Sequence, residues 1–248
     1  FFKKKKVDYM IMAAAKAGGI IANSTNQKDF FLENIEIQNS LLKLALKKKI
    51  KRTIYLGTSC IYPKLSQTPI KEDCLLTGKL EKTNQCYAIA KIAGIKLCET
   101  LYEDHKLDIV CLMPTNVYGI KDNFDKINGH VIPSMITKFI EAKKRKKNTI
   151  KLLGSGKPLR EFIYSMDLAE AIYQCLIIPK KTYLKKFKSK LPIINVGTGE
   201  TISIIKLSNL IKKNVNYKGK IFFDKKYPDG TFKKNLNSKK IFSLGWKP

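Results

Sequence analysis

Thr53-Ile54-Tyr55-Leu56-Gly57-Thr58-Ser59 is the stretch on which the fold turns. A β-branched and aromatic run stops abruptly at Gly-Thr-Ser, the pattern of a buried parallel strand entering a loop at its carboxyl end. Downstream, Gln85 to Tyr102 carries Ala88, Ile92, Ile95, Leu97 and Leu101 at helical spacing, and Ile109 to Met113 is a second apolar strand stopped by Pro114. Upstream, from Asp29, the residues Phe30, Ile35, Ile37, Leu41, Leu42, Leu44 and Leu46 recur with largely helical spacing. The Lys47 to Lys49 cluster that follows suits the negative end of a helix. Val7 to Ala15, leading into Ala-Ala-Ala-Lys-Ala-Gly-Gly, reads as a buried strand followed by a tight loop.

Strands alternating with crossover helices predict an α/β fold, a Rossmann-like doubly wound parallel sheet whose ligands bind at the carboxyl ends of the strands. Neither G-x-G-x-x-G nor G-x-x-G-x-x-G occurs near Phe1, where such a sheet carries its phosphate loop. The expectation is a dinucleotide-binding sheet lacking its first strands. The ending Gly245-Trp246-Lys247-Pro248, without a closing helix, adds the expectation of a clipped carboxyl terminus.

Composition narrows the function classes. The 44% hydrophobic content over 248 residues is that of a globular chain. No apolar run approaches the roughly 18 residues of a membrane span, so the expectation is a cytoplasmic protein with no membrane partner. Cys60, Cys74, Cys86, Cys98, Cys111 and Cys175 show no C-x-x-C spacing and read as reduced thiols, and no metal site is predicted. The net charge of +28 invites a nucleic-acid reading. Yet only Arg52, Arg145 and Arg160 among the 48 basic residues are arginine, the side chain whose fork suits base edges. Nucleic acid is therefore set aside, and the runs Lys3 to Lys6 and Lys143 to Lys147 read as exposed surface.

Tyr87 and Lys91 stand four apart on a predicted helix and share one face. Thr58, 29 residues earlier, sits at a strand end where its hydroxyl can hold a carbonyl. Pro114-Thr115-Asn116-Val117-Tyr118-Gly119 ends the next strand, and Arg160-Glu161-Phe162-Ile163 and Asn195-Val196-Gly197-Thr198-Gly199 follow. By spacing alone, Cys60 reads as a small buried hydrophobe and His130 as a turn residue. His105 lies in a hydrophilic stretch and reads as surface.

Five segments together carry a resemblance. They are residues 13–20 (Ala-Ala-Ala-Lys-Ala-Gly-Gly-Ile), 57–63 (Gly-Thr-Ser-Cys-Ile-Tyr-Pro), 87–94 (Tyr-Ala-Ile-Ala-Lys-Ile-Ala-Gly), 128–133 (Asn-Gly-His-Val-Ile-Pro) and 228–231 (Pro-Asp-Gly-Thr). The chain resembles the GDP-L-fucose synthase family of extended short-chain dehydrogenase/reductases over essentially its whole length.

The resemblance implies NADPH-dependent 3,5-epimerisation and 4-keto reduction of a GDP-linked 4-keto-6-deoxymannose by a homodimer. It implies a reductase triad of Thr58, where the family usually has serine, with Tyr87 and Lys91, and an epimerisation pair of Cys60 and His130. On the NADP(H) side it implies Ala14, Ala15, Leu56, Gly57, Thr58, Ser59, Lys91, Pro114, Thr115, Asn116, Val117 and His130. On the GDP-sugar side it implies Lys138, Leu153, Arg160, Lys220 and Asp229, with Lys138 in place of an arginine and Leu153 in place of an aromatic. A tyrosine acting near neutral pH needs a cation beside it, which Lys91, together with the nicotinamide nearby, is expected to supply. The implied dinucleotide-binding part comprises residues 1–123 and about 158–178, and the smaller α/β substrate part about 124–157 and 179–248. A nucleotide-sugar 4-epimerase and an inactive fragment stand as alternatives.

Overall fold

The computed structural model describes residues 6–187, 192–227 and 229–248. In chain order its strands are β1 (Tyr9–Met12), β2 (Arg52–Leu56), β3 (Ile109–Pro114), β4 (Asn116–Tyr118), β5 (Thr149–Leu153), β6 (Leu159–Arg160), β7 (Phe162–Tyr164), β8 (Ile193–Val196), β9 (Ile202–Ser203), β10 (Lys220–Asp224) and β11 (Lys233–Lys234). The α-helices are α1 (Ile20–Thr25), α2 (Gln27–Lys47), α3 (Gln85–His105), α4 (Val131–Lys144), α5 (Ser165–Ile177), α6 (Lys180–Phe187), α7 (Ile204–Val215) and α8 (Lys239–Ser243).

The main sheet has the order β1-β2-β3-β8, parallel throughout. Met12 pairs with Tyr55, Leu56 with Leu112 and Pro114 with Val196, so the loops after all four strands leave at one edge. Every residue of β3 is buried, because its period of two sends Ile109, Cys111 and Met113 to one core and Val110 and Leu112 to another. The first core is closed by Leu42 and Ala45 of α2 and by Ile92, Ile95, Cys98 and Leu101 of α3. The second is closed by Leu168, Ala171 and Cys175 of α5 and Ile241 of α8. Helices on both faces make the sheet doubly wound, as the alternation predicts. A third core lies between α4, α7 and the parallel pair β5–β10, around Met135, Phe139, Ile150, Leu152, Leu207 and Ile211.

Two expectations need correction. Tyr9 and Ile11 of β1 are exposed while Met10 and Met12 are buried, so this strand is covered on one face only among the described residues. Among the described residues it pairs with β2 alone, and an apolar run by itself does not say whether both faces are covered. Helix α3 runs to His105, a turn beyond Tyr102, and stops where Lys106 takes a left-handed φ of 56°. His105 and Lys143 to Lys147 are exposed, as expected; Lys3 to Lys5 and Pro228 lie outside the described residues.

The packing of α2 on α3 is polar at its centre. Gln38 donates to the Ala90 carbonyl at 2.8 Å and accepts from the Tyr55 hydroxyl at 2.8 Å. A Cβ on Gly94 would stand 2.2 Å from that hydroxyl oxygen, so glycine is what lets α3 lie this close to β2.

Glu161, fully buried between β6 and β7, ties these parts together. Its two carboxylate oxygens accept the backbone N–H groups of Gly199 and Leu236, each at 2.7 Å. Its carbonyl accepts from the Thr115 hydroxyl at 3.1 Å and the Asn116 amide at 2.7 Å. Glu161→Gln would turn one acceptor into a donor facing a buried N–H. Hydrogen bonds to charged groups contribute roughly 1.5–3 kcal/mol, so a loss of about 2–3 kcal/mol is expected in urea unfolding.

Candidate active site

The four carboxyl-end loops build the site. A Cβ on Gly57 would fall 2.4 Å from Met113 Sδ, so any larger residue where the chain leaves β2 would have to displace the end of that buried side chain. Thr58 then caps a short 3₁₀ turn, Ser59–Ile61, its hydroxyl accepting the Cys60 N–H at 3.2 Å. Tyr62, buried beyond the turn, donates to Asn195 Oδ1 at 2.6 Å and fastens it to the end of β8. Asn195 is in turn held by the Ile70 carbonyl and by Glu72, the latter accepting its N–H at 3.0 Å.

On the first turn of α3, Tyr87 places its hydroxyl beside the Thr58 side chain and the Cys60 thiol. The Phe30 ring meets the Tyr87 ring edge-to-face, with centroids 6.2 Å apart. Burial pushes the Tyr87 hydroxyl pKa above its ordinary value, the neighbouring Cys60 thiol adds to this, and the Thr58 side chain opposes it. Without the cofactor, then, burial outweighs any acidification of Tyr87, and the phenol is the stable form at neutral pH. Lys91, one turn on, is only 5% exposed and donates to the Leu56 carbonyl at 3.0 Å. Desolvation brings its pKa down to about 8.

Thr58, Cys60, Tyr87 and Lys91 thus form one cluster. His130 arrives from elsewhere, as the residue preceding α4. Its loop is shaped by Asp125, which accepts the N–H groups of Ile127 and Asn128. The loop docks where Gly19 N–H donates to the Asn128 carbonyl at 2.9 Å. A Cβ on Gly19 would stand 2.6 Å from the Gly129 carbonyl, which accounts for the glycine in the Gly18-Gly19 pair. The polar neighbour of the imidazole is the Asp122 carboxylate, 3.6 Å from Nδ1.

Further out, Arg160 donates to the Leu159 and Thr231 carbonyls at 2.9 and 2.8 Å, and to the Asp229 carbonyl at 3.4 Å. Asp229 accepts both the hydroxyl and the N–H of Ser155 at 2.6 Å, which holds its carboxyl below the usual carboxylate range. Leu153 ends β5 beside this group and is exposed, while Lys138 on α4 is half-buried, its pKa lowered by desolvation. Lys220 does not join them. It pairs with Thr149 at the start of β5, whereas Asp224 pairs with Leu153 at its end, a separation of about 13 Å along the strands.

Ala14 and Ala15 follow β1 on the same edge as Leu56 to Ser59. Thr115 and Asn116 are spent on the Glu161 carbonyl, and Val117 packs against the second core. The spacing gave no sign of Asp122, of the part played by Glu161 within its motif, or of Lys234, whose ammonium lies 3.8 Å from Cys60 Sγ.

Residues 1–197 match the model of the NAD dependent epimerase/dehydratase family. The GDP-L-fucose synthase of Sinorhizobium fredii is 42% identical over the whole chain, which spans 76% of that relative. That of Escherichia coli is 42% identical over 99% of the chain and 77% of the relative. The chain belongs to the GDP-L-fucose synthases of that family. A solved GDP-L-fucose synthetase from Naegleria fowleri bound to NADP superposes with a TM-score of 0.84 at 28% identity, covering all of this chain and 75% of that one.

The cofactor of a GDP-L-fucose synthase is NADP(H), and the cradle fits its nicotinamide half. The loops after β1, β2 and β3 converge there, and Lys91 presents a buried ammonium whose one described hydrogen bond leaves further protons to give. Burying that ammonium has a testable consequence. Its folded pKa of about 8 lies below the usual 10.5, so the unfolded chain binds more protons between these values and stability rises with pH there. Relative to Lys91→Met, the cofactor-free protein should gain stability between about pH 8 and 10.5, read as unfolding midpoints across that window. A flat difference would mean the ammonium is not desolvated.

Proposed function

We infer that this protein converts GDP-4-keto-6-deoxymannose to GDP-L-fucose, its own side chains moving the protons of both stages. The observation that carries this reading is the convergence of Thr58, Tyr87, Lys91 and Cys60 at the sheet edge, with His130 on the loop that docks against Gly19 after β1.

In the epimerisation stage, Cys60 and His130 exchange the protons on the carbons beside the 4-keto group. When the base takes a proton, the carbon–hydrogen bond breaks and its electrons move onto the keto oxygen as an enolate. Reprotonation from the opposite face inverts the centre. The Thr58 hydroxyl and the Tyr87 phenol hold that oxygen in both stages.

NADPH, when bound, supplies the hydride for the reduction. The Tyr87 phenol gives its proton to the 4-oxygen, and the pKa raised by burial keeps that proton in place until the oxygen becomes basic. Lys91 would hold the nicotinamide ribose and would stabilise the tyrosinate left behind, which assigns its charge to a later moment than the resting state.

Arg160 and Asp229, with Lys138 and Leu153, face the GDP group, and Lys220 is left out of that set on the strand register. Leu153 lacks the ring that would stack on a base. Residues 1–123 with about 158–178 serve the dinucleotide, and about 124–157 with 179–248 serve the sugar nucleotide, which accords with a third core separate from the main sheet. The buried unpaired thiols Cys98, Cys111 and Cys175 accord with a cytoplasmic protein. Exposed Leu32 on α2 and Ile89 on α3 suit pairing of two copies through these helices.

The test follows absorbance of NADPH and the sugar product with full-length protein. Tyr87→Phe should lower reduction at least about 100-fold, the lower range for a positioned acid. Cys60→Ser and His130→Gln should each suppress deuterium uptake from D₂O into the sugar ring. Unchanged product formation by Tyr87→Phe would overturn the reading, and turnover to a 4-epimer without NADPH loss would favour a 4-epimerase.

A further inference from the structure

We propose that Lys234 is a positioning residue for Cys60, its ammonium engaging the sulfur that removes a proton from the sugar. The inference deepens the reading above and rests on it for the role of Cys60.

Lys234 is the last residue of β11, 174 positions after Cys60, yet its Nζ lies 3.8 Å from Sγ. The contact is built. Lys234 pairs in parallel register with Arg160 on β6. Two residues later, the Leu236 N–H is clamped by Glu161, and Asn235 between them is buried. On the other side, Thr58 caps the Cys60 turn and the Tyr62–Asn195 bond fixes its far end. Both partners therefore sit on anchored backbone, and the lysine need only hold its own rotamer.

The groups around the sulfur divide by charge. Thr58 and Tyr87 are neutral, and the Tyr87 phenol keeps its proton. Lys234 is the one cation described in contact with the thiol. An ammonium 3.8 Å from the sulfur favours the negative charge that the sulfur carries as it attacks a proton or an electrophile, so the lysine makes Cys60 more reactive. Arg160, the neighbouring cation, is committed to the backbone carbonyls of Leu159 and Thr231 and cannot take this role.

Iodoacetamide alkylation at pH 7, resolved by peptide mass spectrometry, reads the sulfur without substrate or turnover. The half-exposed thiols Cys74 and Cys86 in the same chain serve as references. Lys234→Met and Lys234→Gln should slow Cys60 alkylation about tenfold with the references unchanged. Lys234→Arg should restore it to within about twofold of the unaltered protein, since it keeps the charge. Ring deuterium uptake should fall in parallel, with little change in KM for the GDP-sugar.

Alkylation of Cys60 at the original rate in Lys234→Met would overturn the proposal. So would loss of reactivity in Lys234→Arg, or a raised KM with deuterium uptake intact at saturation, which would make Lys234 a diphosphate contact. If instead Cys60→Ser still takes up deuterium, the role of Cys60 fails while the alkylation result stands, so the two failures are separable.

Discussion

A single carboxylate without a counter-charge holds this molecule's parts in register. Glu161 has no ion-pair partner among the described residues and is stabilised by backbone N–H groups from two distant segments. Burial raises its pKa while those N–H groups lower it, so desolvation and hydrogen bonding oppose one another at one atom group. The fit is close, since a Cβ on Gly197 would stand 2.3 Å from the nearer oxygen. From this point run the end of β3 through Thr115 and Asn116, the loop after β8, and the segment bearing Lys234. Replacing such an acceptor leaves buried donors with nothing to bond, a larger penalty than the bonds themselves contribute.

The catalytic cluster inherits its order from that frame. Thr58 and Cys60 emerge from β2, whose position is set by the main sheet; Tyr87 and Lys91 come from α3, which Gln38, Tyr55 and Gly94 draw against the sheet. Arg160 precedes Glu161 directly, and its fork is fixed by the carbonyls on either side of Gly230. Sheet-edge geometry thus supplies the hydroxyls and the tyrosine, and the Glu161 clasp sets where the second group of residues meets them.

Much of this was legible because it follows from local pattern. The runs Thr53 to Leu56 and Ile109 to Met113 lack charge and end at a glycine and a proline, so buried strands were the direct reading. The four-residue spacing of Tyr87 and Lys91 put them on one face, and the structure keeps them there. What escaped is what depends on long-range packing. Glu161 looked like one member of a motif, and nothing nearby announced partners 38 and 75 residues away. Lys234 was lost among many lysines. Lys220 stood in the substrate set on resemblance alone, and only the parallel register of β5 and β10 shows that it leaves from the opposite end. The direction of the Tyr87 shift in the cofactor-free chain was hidden for a similar reason: helical spacing places a lysine on the right face but does not say that its ammonium is turned to the Leu56 carbonyl.

The basic excess has a physical reading here too. Most lysines are solvated, but among the described residues two cations, Arg52 and Lys91, are withdrawn from water and answered differently. Arg52 is paired with Asp108 at 2.9 Å and with carbonyls at the end of α5, a satisfied arrangement that pins helix to sheet. Lys91 has a carbonyl and the Tyr55 ring for company and no carboxylate described beside it. A buried ion pair would make Lys91 indifferent to what binds. Left with neutral partners, it remains electrostatically unsatisfied, and an anion forming at Tyr87 or ribose oxygens arriving beside it gain an interaction the resting protein has withheld. The loss of stability in the resting state and the stabilisation of the reacting state are then two aspects of one buried charge.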